Sequence, residues 1–365
     1  MPKKLLFVIN SLQGGGAERV LSSLAVFFHS QGYSVSIVCL NYAEQAYDIP
    51  QGIKLIYLTR DRRIGMLYRV YYAYRTYSRL RRVFKTEKPD CAISFMTSAN
   101  LWTGFVGMLT RTSYIVSERT NTDHIKSLNI IQRWFLHNIY SASKCVVAPC
   151  GGVEAALLRT EALKGINNIK VIINPVKALG PISKKAVNER KYILAAGRLC
   201  YEKGFDLLIE AFALIKDKNV DLLIVGEGED REVLEKQIDN LGLIERVKLI
   251  GAQKNIQDYY NNADLFVLSS RTEGYPNVLI EAMSMGCPSI AMDCEFGPSE
   301  IIRHEENGLL VKERSAEILS QNIDRLLSDR LLSARLSEKA RLINFTNSTA
   351  AVYAEWEKLL YEPVS

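Results

Sequence analysis

An alternation of short apolar runs with helix-spaced segments most constrains this fold: it runs the length of the chain and starts afresh at the middle. Lys4-Leu-Leu-Phe-Val-Ile-Asn10 reads as a buried strand, Ser11 to Gly16 as a loop, and Ala17 to Ser30 has helical apolar spacing. Further strands read at Ser34 to Leu40, Lys54 to Leu58, Cys91 to Phe95, Ser113 to Ser117 and Lys144 to Ala148, separated by helical stretches such as 64–86 and 130–141. After Val171-Ile-Ile-Asn-Pro175, the stretch from Val176 to Lys191 is rich in Lys, Pro and Gly and has no period, as a linker would. The pattern then restarts. Strands at Tyr192 to Ala196, Asp221 to Val225, Val247 to Ile250, Leu265 to Leu268, Pro288 to Ala291 and Gly308 to Val311 alternate with helices at Phe205 to Ile215, Asp230 to Leu241, Ile256 to Asn262 and Val278 to Met285.

Such alternation produces mainly parallel sheets with helices on both faces. At 365 residues the chain exceeds one comfortable core, and two domains of about 170 residues each are expected. The expectation is therefore an α/β chain of two Rossmann-like, doubly wound domains facing a central cleft. The domains are residues 1–175 and 191–346, joined by a linker over 176–190, with a closing helix over 347–362 able to pack back on the first domain. Seven scattered cysteines without a C-x-x-C pair indicate neither a disulfide framework nor a zinc site. The apolar run from Leu5 to Ile9 is too short for a signal peptide, and no later run approaches the ~18 residues of a membrane span. A cytoplasmic chain with at most peripheral membrane contact is expected.

Three loops carry candidate chemistry. Gly14-Gly15-Gly16-Ala17-Glu18-Arg19 joins the first strand to the first helix, where bare amides and the positive helix end can receive an anion; a tight turn is the alternative. Its spacing departs from the dinucleotide G-x-G-x-x-G, and Leu40-Asn41 put no acid at the tip of the second strand, which disfavours a nicotinamide cofactor. Ala196-Gly197-Arg198-Leu199-Cys200-Tyr201-Glu202-Lys203-Gly204 places two cations five apart at a carboxyl sheet edge, where they could neutralise a departing diphosphate. Solvated surface cations are the alternative. In Thr272-Glu273-Gly274-Tyr275-Pro276-Asn277-Val278-Leu279-Ile280-Glu281-Ala282, Gly274 allows close approach, Pro276 suits a first helical turn, and Glu281 lies about one turn in. The two acids are expected to face one pocket and accept hydrogen bonds from sugar and ribose hydroxyls. Helix-capping acids are the competing reading.

Together these pieces resemble the retaining glycosyltransferases of family four, with the GT-B fold. The matching pieces are Gly197-Arg198 with Lys203, Gly226-Glu227-Gly228 with Arg231, Glu273 and Glu281 at the family's seven-residue gap, Gly297-Pro298-Ser299-Glu300-Ile301-Ile302 before Asn307 to Val311, and Gly15 to Arg19 in the first loop. The resemblance implies that Arg198 and Lys203 hold the donor diphosphate, Glu281 the ribose, and that Glu273 contacts the transferred sugar. Gly197, Gly274, Tyr275, Pro276, Asn277 and Val278 would line the donor site. Gly15 and Gly16 would border the phosphate from the first domain, with Gly226, Glu227 and Arg231 nearer the base. It further implies transfer with retention and without a bound metal or cofactor. No opposite-face nucleophile can be named, which favours same-face attack with the leaving phosphate taking the acceptor's proton.

One departure stands out. In Ser117-Glu118-Arg119-Thr120-Asn121, Arg119 replaces a His that many members carry, and a guanidinium, with a pKa expected above about 12, cannot serve as a base. It remains a site candidate able to pair with phosphate or an acceptor group.

Between Arg60 and Lys85 nine cations face one acid, Asp61: Arg60, Arg62, Arg63, Arg69, Arg75, Arg79, Arg81, Arg82 and Lys85. At about 100° per residue, Met66, Val70, Ala73, Tyr77, Leu80, Val83 and Phe84 fall on one side and Arg75, Arg79, Arg82 and Lys85 on the other. A half-buried surface helix would suffice. Interleaved with five tyrosines (Tyr68, Tyr71, Tyr72, Tyr74, Tyr77), the cations also suit an anionic membrane surface or a lipid-linked diphosphate acceptor. The resulting expectation is a hexosyltransferase at the inner face of a bacterial plasma membrane. It would move a hexose or N-acetylhexosamine from a nucleotide-sugar, favoured as a UDP-sugar, to a lipid-linked glycan such as an O-antigen or capsule precursor. The alternatives are a GT-B sugar-nucleotide epimerase or soluble-acceptor synthase and, from another class, a nucleic-acid-binding module, which leaves the loops of both halves unexplained.

Overall fold

Strand β1 (Lys4–Ile9) is buried at every position but its first, as a strand inside a parallel sheet must be when helices cover both faces. The computed structural model describes residues 4–60, 66–119, 125, 128–177, 179–183 and 187–362. They form two units, Met1–Pro175 with Ala350–Ser365, and Val176–Thr349.

In the first unit β1 is followed by α1 (Gly16–Ser30), β2 (Ser34–Asn41), β3 (Lys54–Thr59), α2 (Met66–Glu87), β4 (Cys91–Phe95), α3 (Thr97–Thr110), β5 (Ser113–Ser117), α4 (Ile130–Ser141), β6 (Cys145–Ala148), α5 (Gly151–Arg159) and β7 (Ile169–Val171). The sheet order is β3-β2-β1-β4-β5-β6-β7, with every pairing parallel. From β1 to β3 the chain steps one way across the sheet, and from β4 to β7 the other. Right-handed crossovers therefore place α1 on one face and α2, α3, α4 and α5 on the opposite one.

In the second unit the order along the chain is β8 (Tyr192–Ala196), α6 (Phe205–Leu214), β9 (Asp221–Val225), α7 (Arg231–Asn240), β10 (Val247–Leu249), α8 (Ile256–Asn262), β11 (Leu265–Leu268), α9 (Asn277–Ser284), β12 (Ser289–Met292), α10 (Pro298–Ile301), β13 (Leu309–Val311), α11 (Ala316–Ser328), α12 (Arg330–Ala340) and α13 (Ile343–Thr346). Its sheet runs β10-β9-β8-β11-β12-β13, again parallel throughout. Each unit thus reverses once the direction in which the chain steps across its sheet, between β1 and β4 in one and β8 and β11 in the other. At such a switch point the carboxyl-end loops splay apart and leave room for a ligand.

The last helix, α14 (Thr349–Tyr361), supplies core to the first unit from Ala350 onward. Its Trp356 is fully buried and stacks on Phe95 with ring centroids 5.6 Å apart, while Tyr353 meets Phe27 of α1 at 4.6 Å. The α14 residues therefore share the hydrophobic core built by β1, β2, β4 and α1.

Three details differ from the sequence reading. Strand β7 was not anticipated; three residues are too few to show a period. The start of the expected linker is ordered within the second unit: Val176 N donates to Asn347 O at 2.8 Å, and Ser183 N to Asp258 Oδ1 at 2.7 Å. On α2, Leu80, Val83 and Phe84 are buried as expected, but Val70 is exposed. At 100° per residue Val70 lies about 90° from the middle of the buried stripe, so its assignment to that stripe is corrected. Arg82 and Lys85 are exposed, whereas Arg75 and Arg79 are half-buried; Arg79 Nη1 donates to Leu58 O and the Arg75 guanidinium lies over the Tyr71 ring. Asp61, Arg62 and Arg63 of the basic segment, and Thr120 and Asn121 after Arg119, lie outside the described residues. Among the described residues, no helix is long and apolar enough to cross a membrane.

Candidate active site

At the switch point of the second sheet, the loop after β8 and the loop after β11 lie side by side because their strands pair. The β8 loop rests backbone on backbone against the loop after β9. Gly197 N donates to Val225 O, Leu199 N to Glu227 O and Asp230 N to Leu199 O, each at 3.0 Å. Glycine is required for this approach. At Gly226, with φ +143°, a Cβ would stand 1.8 Å from Gly197 O, and at Gly228 it would stand 2.1 Å from Leu199 O. Gly204, at φ +63°, leaves no room either, since a Cβ would come within 2.3 Å of Ser269 O on the β11 loop.

The charged groups occupy this seam. Lys203 Nζ donates to Glu273 Oε1 at 2.5 Å, and Ser270 Oγ donates to the same oxygen at 2.7 Å. Ser269 Oγ donates to Lys203 O at 2.9 Å, tying the two loops together again. Arg198 is exposed, and its guanidinium donates no hydrogen bond to, and forms no ion pair with, any described residue. A cation poised beside an ion pair at a carboxyl sheet edge is suited to receive an anionic ligand. Two neighbouring arginines, absent from the sequence reading, brace the loops. Arg271 pairs with Asp206 (2.5 Å from Nη2 to Oδ2) and lies 4.0 Å over the Tyr201 ring. Arg314 donates to the carbonyls of Ser269 and Ser270 at 3.2 and 2.7 Å. No local pattern marks Arg314, which acts through a backbone brought near only by the fold.

Helix α9 begins at Asn277, one residue before the expected Val278, and Pro276 is its N-cap. Gly274, Tyr275, Pro276 and Asn277 are buried, Val278 half-buried. Gly297, at φ +93°, packs where a Cβ would lie 2.7 Å from Pro276 Cδ and 2.9 Å from Gly274 O, so the Gly297-Pro298 stretch underlies the Gly274-Tyr275-Pro276 turn. The Tyr275 hydroxyl accepts from Asn347 Nδ2 at 2.8 Å. Glu281 is buried one turn into α9, and Tyr260 OH donates to its Oε2 at 3.2 Å. Glu273 and Glu281 thus take different partners, Lys203 and Tyr260. Glu227 and Arg231 pair with each other at 2.9 Å on the exposed start of α7, where Arg231 Nε also reaches Glu235 Oε1 at 2.9 Å.

In the first unit, Gly14 has φ +116° and Gly15 is the N-cap of α1, with Gly16 its first residue. A Cβ on Gly15 would stand 2.1 Å from Glu18 Oε2, so the Glu18 carboxylate folds back over the positive helix start. Tyr47 OH donates to Gly15 O at 2.8 Å, holding the loop from the other side. Arg119 is buried just past β5. Its Nη1 donates to Asn174 Oδ1 at 2.6 Å, its guanidinium lies 4.3 Å from the Phe95 ring centre and 5.7 Å from that of Trp356, and among the described residues Nε and Nη2 have no hydrogen-bond partner. Burial pushes its pKa down to about 9, opposed by the Glu118 charge. This lies below the value expected from sequence, yet leaves the group cationic at neutral pH. Glu118, wholly buried, accepts from Thr97 Oγ1 at 2.9 Å, Asn100 Nδ2 at 3.1 Å and Tyr140 OH.

Two Rossmann-like parallel-sheet units, the second with a glycine-braced Arg–Lys–Glu seam at its switch point, have the architecture of the GT-B class, and the family models make the chain a glycosyltransferase. Residues 14–178 match the model of Glycosyltransferase Family 4, and residues 181–343 that of Glycosyl transferases group 1. The chain belongs to these group 1, family 4 glycosyltransferases.

The amylovoran biosynthesis glycosyltransferase AmsD of Erwinia amylovora is 26% identical over 365 residues, which span 98% of this chain and 99% of that one. The GalNAc-alpha-(1->4)-GalNAc-alpha-(1->3)-diNAcBac-PP-undecaprenol alpha-1,4-N-acetyl-D-galactosaminyltransferase of Campylobacter jejuni is likewise 26% identical over 365 residues, spanning 98% of each chain. Among solved structures, Anabaena HepE in complex with UDP-glucose superposes with a TM-score of 0.81 at 19% identity, covering 98% of this chain and 99% of that one.

Proposed function

We propose that this glycosyltransferase moves a hexose or N-acetylhexosamine from a UDP-sugar to an undecaprenyl-diphosphate-linked oligosaccharide, with retention of configuration and without a metal ion. The observation that carries the donor half is the Arg198 guanidinium, exposed and unpaired among the described residues beside Lys203 and Glu273. In this reading Arg198 and Lys203 bind the diphosphate and stabilise the charge that develops as it departs. Glu273 orients the transferred sugar and Glu281 the ribose, while the departing phosphate oxygen takes the acceptor's proton on the face it leaves. Aligned reactants supply the remaining rate enhancement. The preference for UDP is supported by the UDP-glucose complex of the HepE neighbour. The acceptor is supported by the undecaprenol-linked substrate named for the Campylobacter relative and by the cations of α2.

A panel of UDP, GDP and their sugars in thermal shift identifies the donor base, since a ligand at 100 times its dissociation constant stabilises by about 2.7 kcal/mol. The expected result is stabilisation by UDP and its sugars and transfer of labelled sugar to a polyprenyl-diphosphate glycan in the presence of a chelator. Transfer only to soluble sugars, or epimerised donor without any acceptor, defeats the reading.

A further inference from the structure

Helices α2, α3 and α4 lie on one face of the first sheet, and α2 and α4 both start at its carboxyl edge, because each leads from the end of one strand back toward the start of the next. Both begin with large apolar side chains pointing outward. On α4, Ile130, Ile131 and Trp134 are 83%, 74% and 66% exposed, and on α2, Val70, Tyr71 and Tyr74 are 69%, 53% and 68% exposed.

The two sets share one spacing, i, i+1 and i+4, which gathers three side chains within about 100° of a helix surface. On α4 that arc lies opposite Leu136, Ile139 and Tyr140, which are wholly buried. The outward residues are therefore additional to the core, not a frayed part of it. A capping box, in which Gln132 N donates to Asn129 Oδ1 at 2.9 Å and Asn129 N to Gln132 Oε1 at 3.1 Å, fixes the first turn that carries them.

Charge indicates what covers this face. Among the residues of α2, α3 and α4, the cations Arg69, Arg75, Arg79, Arg81, Arg82, Lys85 and Arg133 stand against one acid, Glu87, at the far end of α2. Exposed apolar side chains on a helical face with such an excess of cations match a bilayer with anionic headgroups: the cations meet phosphates and the apolar side chains enter the acyl boundary.

We infer that Ile130, Ile131 and Trp134 form a wedge that inserts into an anionic membrane beside α2, so that binding has an apolar part as well as an electrostatic one. The inference rests on the membrane-linked acceptor proposed above. The wedge gives the enzyme a fixed depth and orientation at the lipid surface, which attraction to headgroups alone does not.

The test uses the full chain with vesicles of phosphatidylethanolamine and phosphatidylglycerol in equal amounts. Replacing Ile130, Ile131 and Trp134 together by Ser should lower vesicle partitioning by about tenfold or more and abolish the binding that survives high salt. Arg81→Gln with Arg82→Gln should remove mainly the salt-sensitive part. Lipids brominated on their acyl chains should quench wild-type fluorescence, and Trp134→Phe should lose that quenching although Trp102 and Trp356 remain. The Ser variant should still turn over a short-chain, water-soluble acceptor at the wild-type rate. Equal partitioning of the Ser variant, or no quenching of Trp134, overturns the wedge while leaving membrane binding through α2 intact. Failure of the wild type to bind vesicles removes both. A lipid-free dimer that the Ser variant converts to monomer assigns the patch to self-association and overturns the inference.

Discussion

Lys203 Nζ and Glu273 Oε1 are 2.5 Å apart, and the same carboxylate oxygen accepts from Ser270 Oγ. The cation proposed to grip the donor's diphosphate therefore has an internal anion as partner, and an incoming phosphate must compete with it. Glu273→Gln should tighten UDP binding severalfold in calorimetry, because the competing charge is gone. The same change should lower turnover by about tenfold or more, because the sugar hydroxyl exchanges a charged carboxylate for a weaker, neutral amide. UDP binding weakened in this variant would contradict the competition.

Arg198 has the opposite setting. It is exposed and holds no described partner, so truncation leaves no buried group unsatisfied and should leave thermal stability within about 0.5 kcal/mol. Turnover of Arg198→Ala should nonetheless fall on the order of tenfold to hundredfold, the usual loss when one stabiliser of developing negative charge is removed. Initial rates at saturating donor decide it: near-normal turnover takes Arg198 out of the mechanism.

The contrast between these two residues shows how much the sequence discloses. Long apolar runs bounded by turns located every strand but β7 to within a residue or so, because a buried parallel strand is apolar on both faces. The sequence singled out only Gly274 for close backbone approach, whereas the structure shows the carbonyls that Gly204, Gly226 and Gly228 avoid. Pairing was not legible. Nothing local couples Lys203 to Glu273, Tyr260 to Glu281, or Arg314 to the carbonyls of Ser269 and Ser270, since each contact joins segments brought together only by sheet order. Arg119 shows the same limit: it was found by its place in a motif, while its burial against Phe95 and Trp356 depends on a helix more than two hundred residues later.

The Asp206–Arg271 pair should make stability depend on acid. Burial raises the Asp206 pKa, but hydrogen bonding and charge from Arg271 outweigh it, and the carboxyl lies below its ordinary value. A carboxyl with a depressed native pKa contributes stability above its unfolded pKa, and loses it as pH falls through the native one. With Asp206 partly exposed, the contribution at neutral pH should be on the order of 1 kcal/mol or less. In urea denaturation, wild type should exceed Arg271→Met at pH 7 and the difference should shrink below the ordinary carboxylate range. A constant gap down to strong acid would show that Arg271 acts through its contact with the Tyr201 ring instead.

Gly226 and Gly242 both have positive φ, +143° and +66°, but only one is crowded. A Cβ on Gly242 meets nothing within 4 Å, so Gly242→Ala should cost only the backbone strain, about 1 kcal/mol. A Cβ on Gly226 would stand 1.8 Å from Gly197 O, and backbone cannot rotate aside as a side chain would. Gly226→Ala should therefore cost more than about 3 kcal/mol, or force the β9 loop away from the β8 loop. If the loop yields, the Leu199 N to Glu227 O and Asp230 N to Leu199 O bonds break, and Arg198 and Lys203 lose their fixed placement. Thermal unfolding and UDP titration of the two variants separate these effects. Gly242→Ala should retain UDP affinity, whereas Gly226→Ala should lose stability, UDP affinity or both, and an unchanged Gly226→Ala would show that the two glycine loops do not position the cations.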